Sequence, residues 1–166
     1  YCAKLCAETL MDLPDPARRL AARDAILEYW SNEPRLAAEI WKNWYRDESR
    51  RFFSFRDGIQ SESHTIPENE FYKDTIDQAL PVERRFEALK ALWHCQTQFK
   101  AGSPGDPAIN RAIFPVALEL TQHQGLQIDA RVMALSAALT YGSDQPEVCA
   151  EVAKGLIAEA ERLQND

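Results

Sequence analysis

The chain has 166 residues, 45% of them hydrophobic and 27% charged, which is one domain's worth of core-forming sequence and too apolar for wholesale disorder. A formal net charge of −7 argues against a broad phosphate-binding surface, since nucleic-acid affinity rests on clustered Lys and Arg; it suits a basic partner, or simply solubility. No run of about eighteen apolar residues occurs, so membrane insertion is not expected.

The chain opens on Tyr1 rather than Met, and the expected protein is soluble, either cytoplasmic or exported after removal of an upstream segment. Cys2, Cys6, Leu10 and Leu13 recur at helical spacing, and Pro14 stops them. Cys95 and Cys149 lie among apolar residues, and four cysteines so placed make neither a zinc knuckle nor a disulfide framework. All four read as small buried hydrophobes, with a bridge the better reading for an exported chain.

Asp15-Pro16 reads as an N-cap followed by proline at the first helical position. The helix then carries Leu20, Ala21, Leu27 and Trp30 and ends at Ser31 to Pro34. The next helix, from Asn32 to Tyr45, has the widest apolar face: Leu36, Ala37, Ile40, Trp41 and Trp44 against Glu39, Lys42 and Asn43. Beyond it come Arg50 to Arg56, then Gly58 and a stretch from Gln60 to Asn69 without apolar period, where one long loop is expected.

A helix over Glu68 to Ala79 and another over Val82 to Phe99 are separated by Pro81. Ala101 to Pro107 reads as a connector, with Asp106-Pro107 repeating the cap-then-proline device. Pro115 is expected to kink or restart the helix over Ala108 to Gln124 near Phe114. Asp129 or its neighbour starts a helix that Gly142 ends, and Asp144 to Glu147 form a capping box for the last one, from Pro146 to Leu163. The expectation is an all-α fold of about eight helices. It is either an irregular bundle or a short stack of helical hairpins, in a single domain over 1–166 that could subdivide near 58–68 into 1–57 and 68–166.

Arg85-Phe86-Glu87-Ala88-Leu89-Lys90-Ala91-Leu92-Trp93 and Arg131-Val132-Met133-Ala134-Leu135-Ser136-Ala137-Ala138-Leu139 share one pattern at an offset of 46 residues. With them, the C-terminal half resembles a HEAT or armadillo-type array, in which each hairpin buries its apolar face on the next. The resemblance implies a protein-binding surface and transfers no catalytic residue.

Two polar constellations remain. Arg50, Arg51, Phe52, Phe53, Phe55 and Arg56 mix the residue types of interface hot spots; alternatively the phenylalanines are core and the arginines pair with acids between Asp57 and Asp77. Those acids also weaken a base-stacking reading. Glu62, His64, Glu68 and Glu70 place one histidine among carboxylates, either a solvated acidic loop or an acid/base or metal site. Adjacent residues on a helix diverge, so His94-Cys95 is not a nucleophile and base. His123, in a last turn, is expected to stabilise a helix C-terminus as a cation. The four tryptophans read as core or as an aromatic ligand pocket.

No cofactor or metal is implied. The function expected is a non-enzymatic protein-interaction module, in particular a small acidic inhibitor or immunity-type protein that blocks a partner, its candidate binding residues being those two constellations. The alternatives are a helical hydrolase or metal-dependent enzyme using His64, and a binding domain for a small apolar ligand.

Overall fold

Local capping devices mark some of the helix ends, at Asp15 and Gly142 among them. In the computed structural model, which describes residue 9 and residues 13–56, 68–99 and 107–164, with the side chains of 52–56, 68, 69, 96–99, 163 and 164 outside the description, there are seven helices. These are α1 (Pro16–Tyr29), α2 (Pro34–Arg56), α3 (Glu68–Ile76), α4 (Val82–Phe99), α5 (Pro107–Gln122), α6 (Ile128–Tyr141) and α7 (Pro146–Gln164). No strand occurs among the described residues, and the fold is all-α. The helix expected over Cys2 to Leu13 lies outside the described residues save for Thr9, which is helical, and Leu13, which is not; Cys2, Cys6, most of the loop expected over Gln60 to Asn69 and the Asp106 cap lie outside too.

Asp15 is the N-cap of α1: its backbone is extended, and its carboxylate accepts from the Ala17 N–H at 2.9 Å, with Pro16 next. The expectation that the following helix stops near Tyr45 is corrected, because α2 runs on to Arg56. No proline or glycine precedes Gly58 to end it, and acids and arginines one turn apart support the extension: Asp47 with Arg50 at 4.0 Å and Glu48 with Arg51 at 3.8 Å. Helix α3 ends three residues earlier than expected, at Ile76, where the Asp77 carboxylate accepts from the Ala79 N–H at 2.9 Å and diverts the chain into a turn.

Helix α5 passes through Pro115 and does not restart near Phe114. Pro115 faces solvent, so the carbonyl that loses its helical donor can bond to water. Gly142 ends α6 at φ −110°, a backbone open to any residue. Its lack of a side chain has another cause: a Cβ there would stand 2.1 Å from the Phe114 ring.

The chain divides into two units, Tyr1–Phe71 and Tyr72–Asp166. In the first, Ile40, Trp41 and Trp44 of the expected α2 stripe are enclosed together with Tyr45, while Leu36 and Ala37 are half-buried. Trp44 packs edge-on against Tyr45 and Phe71 at centroid distances of 5.6 and 6.4 Å, and the Arg23 guanidinium lies 4.4 Å above the Trp44 ring. In the second unit α5 and α6 form the tightest hairpin, and α6 also touches α4 and α7. Leu89, Leu92, Ile113, Leu120, Ala134, Ala137 and Ala138 make its core. Cys95 and Cys149 are free and buried, the environment expected from their apolar neighbours, and burial pushes the Cys149 thiol up.

Candidate interaction site

Three arginines occupy the same place in three helices: Arg19, Arg85 and Arg131 are each the fourth residue, of α1, α4 and α6 respectively. Each is buried and reaches in two directions at once. Arg85 Nε donates to the Thr75 carbonyl at 3.2 Å, ten residues back, while Nη1 and Nη2 donate to the two Glu119 oxygens at 2.9 and 3.1 Å. Arg131 repeats this arrangement. Its Nε donates to the Thr121 carbonyl at 2.8 Å, again ten residues back, and Nη1 and Nη2 to Glu159 at 2.7 and 2.7 Å. Thr75 and Thr121 are the next-to-last residues of α3 and α5, where helix carbonyls lack internal donors, so each arginine also closes a helix end.

Arg19 makes the third clip with its nitrogens exchanged. Nε and Nη2 donate to Glu48 at 2.7 and 3.1 Å, and Nη1 to the carbonyls of Leu13 and Pro14 at 2.8 and 3.1 Å. The clips differ in solvent access: both side chains of the Arg19–Glu48 pair are 0% exposed, whereas the Glu119 side chain is 44% exposed. The carboxylates respond accordingly. Hydrogen bonds from Arg85 and Arg131 hold Glu119 and Glu159 below the usual carboxylate range, while burial pushes Glu48 up against the pull of Arg19.

These clips were missed as such in the sequence, although part of the signal was there. The 46-residue offset that pairs Arg85 with Arg131 also pairs Thr75 with Thr121. Glu119 and Glu159, 34 and 28 residues from their arginines, carry no such mark.

A cleft of about 330 Å³ opens beside the second clip, where Thr121, Gln122 and Gln124 face Arg131, Gly155 and Glu159. The open space above Gly155 contributes to it, since nothing lies within 4 Å of where a Cβ would be. The Arg131 charge is already answered by Glu159, and the cleft pairs no nucleophile with a base. No group of three or more His, Cys, Asp or Glu among the described residues is arranged to hold a metal ion.

Of the residues expected to bind a partner, Arg50 and Arg51 lie on the last turns of α2 beside Asp47 and Glu48. Phe52, Phe53, Phe55 and Arg56 continue that helix, and Glu68 opens α3, but their side chains fall outside the description. Glu62 and His64 are outside the described residues, and Glu70 is half-buried in α3. His94 stacks on Trp93 at 5.8 Å and 12°, while Cys95 is wholly buried. Burial, with Lys90 nearby, pushes His94 down. His123 stands just past the end of α5, where its Nδ1 lies 3.1 Å from the Gly125 backbone nitrogen. Trp41 and Trp44 are core, and Trp30 and Trp93 are half-buried.

Comparison with protein families, curated proteins and solved structures found no match to this chain.

Proposed function

We propose that this chain is a non-enzymatic protein-interaction module, a stack of helical hairpins of the HEAT or armadillo kind that binds a basic partner protein and blocks it, as a small inhibitor or immunity protein does. The observation that carries the reading is the repeated clip. Arg85 with Thr75 and Glu119, and Arg131 with Thr121 and Glu159, tie successive helices together in one register, 46 residues apart. Stacked hairpins of this sort expose extended helical faces, and such faces serve as binding surfaces for other proteins. The net charge of −7 favours a partner of opposite sign.

The test is affinity capture of the tagged chain from its native host under moderate salt, followed by reconstitution with the recovered protein. The expected result is a stoichiometric complex with a basic protein whose activity falls on binding. Hydrolytic activity of the purified chain that disappears in His64→Ala, with no partner recovered, would replace this reading with the enzymatic one.

A further inference from the structure

Helix α6 carries apolar residues on more than one side, with Asp129, Ser136 and Thr140 as a narrow polar stripe, and in a folded protein each apolar side calls for a partner. One side has them: Ala134, Ala137, Ala138 and Tyr141 are buried. On the other, Ile128, Val132, Leu135 and Leu139 follow one another at intervals of four, three and four residues, the spacing of a seam between two packed helices. Ile128 and Leu135 are half-buried, and Val132 and Leu139 remain 50% and 49% exposed.

The internal repeat shows what this seam accommodates elsewhere in the chain. At the same register α4 carries Val82, Phe86, Leu89 and Trp93. There Phe86 and Leu89 are only 7% and 1% exposed, and Trp93 Nε1 donates to Thr140 Oγ1 of the neighbouring α6 at 3.0 Å. A helix beside α4 thus helps to cover its seam, and the equivalent seam of α6 lies open. Both ends of the open seam are acidic. Asp129 stands in the first turn of α6, and Asp144 and Glu147 stand just beyond its last; all three are exposed and form no ion pair among the described residues.

We infer that the Ile128, Val132, Leu135 and Leu139 face of α6 docks an amphipathic helix of a partner protein, with an apolar stripe along the seam and lysine or arginine near both ends. This rests on the interaction-module reading and names the surface that reading needs. The apolar stripe supplies affinity through burial, and the terminal cations answer Asp129 at one end and Asp144 with Glu147 at the other.

The probe is a synthetic helix-forming peptide matched in length to α6, with leucines at seam spacing and lysines near both ends, titrated into the full chain; its twin carries glutamates in place of the lysines. The lysine peptide should bind and the glutamate peptide should not. Leu139→Glu and Val132→Glu should each weaken binding on the order of tenfold or more while leaving the melting temperature nearly unchanged. The sign is diagnostic, because both substitutions add negative charge and would strengthen simple electrostatic adhesion. Equal or tighter binding to Leu139→Glu, or no binding to the wild type, overturns the proposal. So does sedimentation showing a wild-type dimer that Leu139→Glu converts to monomers, since the occupant would then be a second copy. A native partner that holds Leu139→Glu as tightly as the wild type overturns this face and leaves the interaction-module reading standing, whereas partner-free enzymatic activity removes both.

Discussion

Helices α4 and α6 begin alike and finish differently. Each places an arginine at its fourth position, clips it to a threonine carbonyl ten residues back and forks it onto a glutamate farther along the chain. Yet Phe86 is enclosed on α4 while Val132, at the same register, stands half in water on α6. The shared part depends on groups in the helix itself and in the helices just before and after it. The differing part depends on what lies alongside the helix, which no residue of the helix determines. Local wiring of this kind recurs where the same residues recur, while the fate of a helix's outer face is left to its neighbours.

The largest effect should come from testing that difference at matched positions. Phe86→Ala is expected to cost about 3–5 kcal/mol, a large share of a typical domain's stability, whereas Val132→Ala should stay within about 0.5 kcal/mol. Urea unfolding of the two variants measures both. Comparable losses would mean that α6 is buried in solution as α4 is, and the distinction between them would vanish.

Arginine-to-methionine substitution keeps the apolar stem and removes the clip, so it compares the three sites directly. Arg19→Met should cost about 3–5 kcal/mol at neutral pH, because it leaves the fully enclosed Glu48 without its forked partner, with Arg51 at 3.8 Å as a weaker substitute, and removes the donor to the Leu13 and Pro14 carbonyls. Arg85→Met should cost less, about 1–3 kcal/mol, since water reaches the Glu119 carboxylate and the main penalty is the unsatisfied Thr75 carbonyl. Chemical denaturation that ranks Arg85→Met above Arg19→Met would contradict the order of burial seen here.

Gly142→Ala probes the junction after α6. The added methyl would collide with the buried Phe114 ring, and the expected loss is about 1–3 kcal/mol. The double variant Gly142→Ala with Phe114→Leu should recover part of that loss if the collision is its cause. No recovery would point to the backbone at Gly142 instead.

The smallest effect is a divergence with pH. Glu119 and Glu159 are held below their ordinary range, so the stability they contribute is complete above the unfolded carboxylate value, near about 4.3, and is lost as pH falls through their folded values. Glu48 is pushed up, so its contribution is complete below the unfolded value and declines as pH rises through the folded one. Taking the pH from about 6 to about 3 should therefore loosen the amides of α6 before those of α2, as followed by hydrogen exchange. Earlier loss of protection in α2 would show that the clips do not govern acid sensitivity.

The helix boundaries were legible wherever a local device sets them, as at Asp15-Pro16 and Gly142. They were misread where distance or exposure decides. Tyr45 looked terminal because the apolar stripe fades there, but charged neighbours one turn apart carry α2 on to Arg56. Pro115 suggested a kink or a restart; α5 runs through it without restarting, and Pro115 faces solvent. Of the tryptophan-rich face of α2, Ile40, Trp41 and Trp44 were read correctly as buried, and Leu36 and Ala37 are half-buried at its edge. The arginine and phenylalanine run and the His64 loop drew attention as candidate sites because unusual composition is visible in one dimension, whereas convergence in three is not.

By itself the sequence determined the helical character, the caps at Asp15 and Gly142, the enclosed Ile40, Trp41 and Trp44 of α2 and the 46-residue echo between Arg85 and Arg131, because each depends on residues within a few turns or on a pattern that can be aligned within the chain. Only the tertiary structure decided that those arginines are clips, that Glu119 and Glu159 receive them, that Gly142 must be small for the sake of Phe114, and that the seam of α6 is open while that of α4 is closed. The reason is physical: a hydrogen bond or a buried area belongs to two groups brought together in space. For groups some thirty residues apart, that meeting is set by how helices stack and not by the letters on either one.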